Sequence, residues 1–151
     1  MSSSVADPTA DVVSTGTSVR PVMLLTIAVP FDERATLFAL DSALHSGAKL
    51  IVCEGIFLSA ARPGNTANFV HALESRACEV VAERARALEI KTELAVFHSP
   101  RPITGALAAA KNYEIGLLVF GPERTRLARW NYWMWSRRIR RDAPCLVWVP
   151  D

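Results

Sequence analysis

The chain has 151 residues and a mass of 16.5 kDa, the size of one ordinary domain. Half of it is hydrophobic and 21% is charged, a balance that excludes intrinsic disorder as its class. Mean hydropathy is +0.18, yet no apolar run reaches the roughly 18–20 residues of a membrane span, and a net charge of +2 names no partner by its sign.

Residues 1–19 are rich in Ser, Thr, Ala and Asp and carry no apolar period, so they read as a poorly ordered leader before a domain over 20–151. With no basic n-region and no apolar h-region, the start does not read as a secretory signal. Val22 to Val29 is a near-continuous apolar run, as in a strand buried on both faces. Asp32 to Ser46 has helical spacing, with Leu37, Leu40, Ala43 and Leu44 on one face, Asp32 as N-cap and Gly47 closing the end. Leu50 to Cys53 predicts a second strand. A long helix follows from Thr66 to about Leu88, with its apolar stripe at Phe69/Val70, Leu73, Ala77, Val80/Val81 and Leu88. Thr92 to Phe97 predicts a third strand, Ile103 to Asn112 an Ala-rich helix, and Ile115 to Phe120 a fourth strand. An Arg- and Trp-rich helix over 128–141 and a last strand, Cys145 to Val149, complete the pattern. This alternation predicts a three-layer α/β/α sandwich around a five-stranded parallel, Rossmann-like sheet.

Three stretches give the chain a resemblance to the universal stress protein family over roughly residues 20 to 150. They are Met23-Leu-Leu-Thr-Ile-Ala-Val-Pro-Phe-Asp-Glu-Arg-Ala, Ile115-Gly-Leu-Leu-Val-Phe-Gly, and Arg140-Arg-Asp-Ala-Pro-Cys-Leu-Val-Trp-Val. ATP-binding members of that family carry Gly, two residues, Gly, nine residues, then Gly and Ser or Thr after the fourth strand. Such glycines let backbone N–H groups reach phosphate oxygens. Here Gly121 matches the first glycine, Arg124 takes the second, and Trp133 or Met134 takes the third. The following hydroxyl position falls on Met134 or Trp135, and Ser136 is near but displaced. An aspartate that the family places at the end of the first strand falls on Pro30, with Asp32 two residues late. The resemblance therefore implies a member without the usual ATP site, its pocket filled by Trp133 or a neighbour, and so without a cofactor. It also implies a homodimer through the last strand, Leu146, Val147, Trp148 and Val149, whose bare edge would otherwise invite aggregation.

Ligands of parallel sheets sit beyond the carboxyl ends of the strands, at the switch in strand order. Pro30, Phe31, Asp32, Gly55, Gly121, Pro122 and Arg124 are expected to converge there. If a nucleotide or small anion binds, Asp32, Gly55, Gly121, Arg124, Arg126 and Ser136 are the candidates to hold it, with the two arginines in place of the glycine cradle. The densest signal is the run from Arg124 to Arg141, with seven arginines and four large aromatics. Tyr132, Trp135 and Ile139 share one face, whereas Trp130, Trp133, Met134 and Arg137 lie opposite. The simpler reading is core aromatics plus a solvated basic helix end, with nucleic acid not the expected partner. Joint exposure of Trp130 and Trp133 would instead make Trp130, Trp133 and Arg137 a partner surface.

Cys53, Cys78 and Cys145 are odd in number and widely spaced, which fits free thiols in a reducing, cytoplasmic setting. His45, His71 and His98 are isolated, and no metal-binding spacing occurs. No nucleophile with a base can be singled out. The sequence leads to a non-enzymatic stress-response or regulatory dimer that acts on an unidentified protein partner.

Overall fold

The computed structural model describes residues 19–57 and 65–150, with residues 57 and 65–75 described by their backbone only. The expected leader, but for Val19, lies outside the described residues, as do the side chains of Phe69, Val70, His71 and Leu73. Five strands and four helices alternate: β1 Val22–Ile27, α1 Glu33–Ser46, β2 Leu50–Phe57, α2 Asn65–Ala87, β3 Thr92–Ser99, α3 Pro102–Asn112, β4 Leu117–Phe120, α4 Arg129–Asp142 and β5 Leu146–Trp148. A single 3-10 turn, Arg124–Arg126, precedes α4.

All strand pairings are parallel, and the order across the sheet is β3-β2-β1-β4-β5. The apolar run of β1 is explained by its central place, because every residue from Val22 to Ile27 is buried. Its side chains alternate between two cores. Val22 and Leu24 face the helices α1 and α2, whereas Met23, Leu25 and Ile27 face α3 and α4.

Asp32 caps α1 as its sequence position predicts, its carboxylate accepting from the Ala35 N–H at 3.0 Å. Gly47 ends the helix in the left-handed region at φ +70°. The buried face of α1 differs from the expected one. It consists of Ala35, Thr36, Ala39, Leu40 and Ala43, while Leu37 and Leu44 stand in solvent. Small side chains let α1 lie close against the sheet, so the longer leucines fall outside the contact. Likewise α2 buries Cys78, Val81, Ala82 and Ala85, leaving Val80 and Leu88 exposed. A forked ion pair from Arg84 to Glu33, both contacts 2.9 Å, ties the two helices together at the surface.

β2 continues four residues past Cys53, and its extension carries the fully buried Glu54, whose carboxylate accepts from the Cys78 thiol at 3.8 Å. At the opposite edge, the Trp148 indole of β5 stacks on Phe38 of α1 with centroids 4.1 Å apart.

Candidate functional site

The strand order reverses between β1 and β4, which is where open parallel sheets bind ligands. Here the loops leaving those two strands are sewn to each other. The Gly121 N–H donates to the Leu25 carbonyl at 2.7 Å, the Asp32 N–H to the Gly121 carbonyl at 2.8 Å, and the Glu123 N–H to the Pro30 carbonyl at 2.8 Å. Phe31 and Pro122 form an antiparallel bridge across the gap. Backbone donors that could have faced an anion are thus spent on the protein's own carbonyls. Ala28, at φ +60°, marks a tight turn at the end of β1, held by the buried Thr26 hydroxyl donating to the Val29 carbonyl at 2.6 Å.

The candidate binding residues separate into four places. Asp32 and Gly121 meet at this sewn mouth, with the Asp32 carboxylate committed to capping α1. Gly121 is needed for packing, because a Cβ there would lie 2.8 Å from Leu24 Cδ1 and 3.1 Å from the Ala35 Cβ. Gly55 lies on β2, where a Cβ would stand 2.6 Å from the Phe97 ring. Its absence of a side chain makes room for that ring.

Arg124 and Ser136 lie instead on the walls of an open groove of about 950 Å³ between the segment after β4, the start of α4 and the end of the chain near Val149 and Pro150. Arg124 lays its guanidinium over the Tyr132 ring, 4.8 Å from the centroid. The Ser136 hydroxyl donates to the Trp133 carbonyl within α4. Arg126 does not line the groove; it is exposed and reaches Glu123 at 3.9 Å. Arg129 and Arg140 join the groove wall without having been singled out. Their signal is the spacing Arg129, Trp133, Ser136, Arg140, which is i, i+4, i+7, i+11 on one helical face.

Tyr132 and Ile139 are buried and Trp135 is half-buried, as the helical phase predicts. Trp130 and Trp133 are exposed together, at 64% and 49%, and touch with ring centroids 5.2 Å apart. Trp133 fills no cavity; its ring carries the Arg137 guanidinium 5.2 Å from the centroid. On the other flank of α4 a second groove of about 490 Å³ runs past Arg101, Arg137, Arg138 and Arg141. There Arg138 and Arg141 both reach Asp142, at 3.5 and 3.0 Å, and hold its carboxyl below the usual carboxylate range.

At the β5 edge, Leu146 is 75% exposed while Val147 and Trp148 are half-buried and Val149 is buried. Cys53 and Cys78 are buried free thiols and Cys145 is partly exposed. Burial, with the neighbouring Glu54 charge, pushes the Cys53 thiol up to about 12. Among the described residues no cluster of His, Cys, Asp and Glu is placed to hold a metal ion. None of their helices is long and apolar enough to cross a membrane.

No protein-family model matches the chain, and no curated protein matches it. Its likeness is to solved structures. A universal stress protein from Archaeoglobus fulgidus is 14% identical with a TM-score of 0.67, covering 89% of this chain and 96% of that one. A protein of the universal stress protein family from Burkholderia pseudomallei is 15% identical with a TM-score of 0.65, covering 85% and 94%. The chain has the universal stress protein fold. A third similar structure, a universal stress protein in complex with cAMP, is 17% identical with a TM-score of 0.64, covering 87% and 97%. Within this universal stress protein fold, the segment that resemblance aligns with a glycine cradle is the Arg124–Arg126 turn and the first two turns of α4.

Proposed function

We propose that this chain is a member of the universal stress protein family that acts in the cytoplasm as a non-enzymatic regulatory binding protein, without ATP at the switch point of its sheet. The observation that carries this reading is the sewn mouth between β1 and β4. Its Gly121 N–H is already donated to Leu25, and Phe31 bridges to Pro122. A phosphate there would have to break those contacts, and Arg124 and Trp133, which stand at the sequence positions of the family's glycines, line the groove beside α4 instead of a backbone cradle. The working surface is then the exposed Arg/Trp face of α4. The protein is a homodimer through β5, whose free edge presents Leu146.

A second reading is a nucleotide held in the groove itself, with Arg124 on its phosphate. It is favoured by the open volume of about 950 Å³ and by the cAMP held in one structure of this fold. Calorimetric titration with Mg-ATP and with cAMP, after assay for co-purified nucleotide, separates the two. The first reading expects no heat and no bound nucleotide. One site per subunit would replace it with the second.

A further inference from the structure

We infer that the groove beside α4 is a binding track for single-stranded nucleic acid. This rests on the reading above that the α4 face is the protein's working surface.

The first observation is charge without partners. Of the seven arginines from Arg124 to Arg141, Arg126, Arg138 and Arg141 reach carboxylates, but Arg124, Arg129, Arg137 and Arg140 make no ion pair with the described residues. Arg124, Arg129 and Arg140 line the larger groove, and Arg137 covers Trp133 beside it. Arg129 also stands in the first turn of α4, where the positive end of the helix disfavours a cation and no acidic residue compensates. A polyanion lying along this face relieves that repulsion.

The second observation is the exposed ledge of Trp130 and Trp133 in the same groove. Two indoles left in water at a surface crowded with guanidinium groups favour a partner that has both flat apolar faces and negative charge. Unpaired bases on a phosphate backbone have both, since rings stack on bases of any kind while arginines track the phosphates. A duplex keeps its base faces inside the stack and offers the indoles nothing. An acidic protein would answer the arginines but has no general reason to seek a pair of flat rings.

Fluorescence anisotropy with a labelled oligothymidylate of about a dozen nucleotides, an oligouridylate of the same length and a matching duplex tests this. Contact of four arginines with phosphates predicts that single-strand affinity falls about fifty-fold between about 50 and about 200 mM salt. Trp130→Ala with Trp133→Ala is expected to weaken binding by roughly tenfold or more with the salt slope unchanged. Arg129→Gln with Arg140→Gln is expected to lower that slope by about half. All four side chains sit at the surface of the groove, and an unchanged melting temperature certifies the fold of each variant. Binding of either single strand in preference to the duplex, lost with the indoles, supports the proposal. No binding at about 50 mM salt, duplex bound as well as single strand, or an unaffected double Trp variant overturns it. Heat from Mg-ATP would instead strike the reading on which it rests, so the two failures are told apart.

Discussion

Phe31 and Pro122 pair across the point where the sheet reverses its strand order, joining the loop after β1 to the loop after β4. In a parallel sheet that gap is the natural entrance for a ligand. Closing it with backbone pairing leaves the fold intact and moves the accessible chemistry outward to α4. The Trp130–Trp133 ledge and the unpaired arginines lie there.

Gly121 is expected to be a packing glycine. Gly121→Ala would place a methyl 2.8 Å from Leu24 Cδ1 and 3.1 Å from the Ala35 Cβ, pushing α1 off the sheet. Urea unfolding should register a loss of about 1–3 kcal/mol. A variant as stable as the parent would mean that α1 can shift without cost.

Glu89 and Glu114 end α2 and α3 in the left-handed region, at φ +61° and +54°. Side chains there crowd the backbone, and both residues are exposed with nothing to lose by truncation. Glu114→Gly and Glu89→Gly should each raise stability by about 1 kcal/mol in the same assay, because glycine is the residue that position favours.

The Glu33–Arg84 pair makes a small contribution with a defined pH dependence. The Arg84 hydrogen bond holds the Glu33 carboxyl below its ordinary value of 4.5. A depressed carboxyl stabilises the fold above the unfolded value and ceases to do so as pH falls through the folded one. Glu33→Gln should therefore cost stability at pH 7, and progressively less as pH is lowered below 4.5. Because the pair is exposed, the difference should stay within about 1 kcal/mol and shrink in high salt.

Thiol titration at pH 8 should find Cys53 and Cys78 unreactive in the folded protein and Cys145 slow, with all three reacting after denaturation. The raised Cys53 thiol acts in the opposite pH direction from Glu33. It stabilises the fold fully below its ordinary value of 9.0, and that share fades as pH rises toward about 12. Rapid labelling of Cys53 at pH 8 would show that β2 opens locally.

The free edge of β5 sets the expected assembly. Sedimentation should return twice the chain mass for the parent and the single mass for Leu146→Arg. Leu146 is exposed enough for the charge to spare the fold. A parent that sediments as a monomer would remove the dimer.

The layered α/β architecture follows from the pattern of apolar residues alone. Strands with two buried faces must be apolar throughout, and helices on a sheet must show a stripe, so Val22–Ile27 and the alternation that follows are legible as text. Local chemistry was legible too. Asp32 caps and Gly47 terminates α1 because those interactions span only a few residues. Tertiary distances decided the rest. Whether α1 buries Leu37 or Ala39 depends on how close the helix approaches the sheet, and the register of its period does not carry that distance. Gly121 reads equally well as a phosphate cradle or as a packing contact until Leu24 and Ala35 are brought against it. The two roles ask the same thing of the residue, the absence of a Cβ, and only the long-range neighbour distinguishes them. Arg124, Arg140 and Val149 are likewise remote in sequence and become one groove only when α4 is laid beside the end of β5.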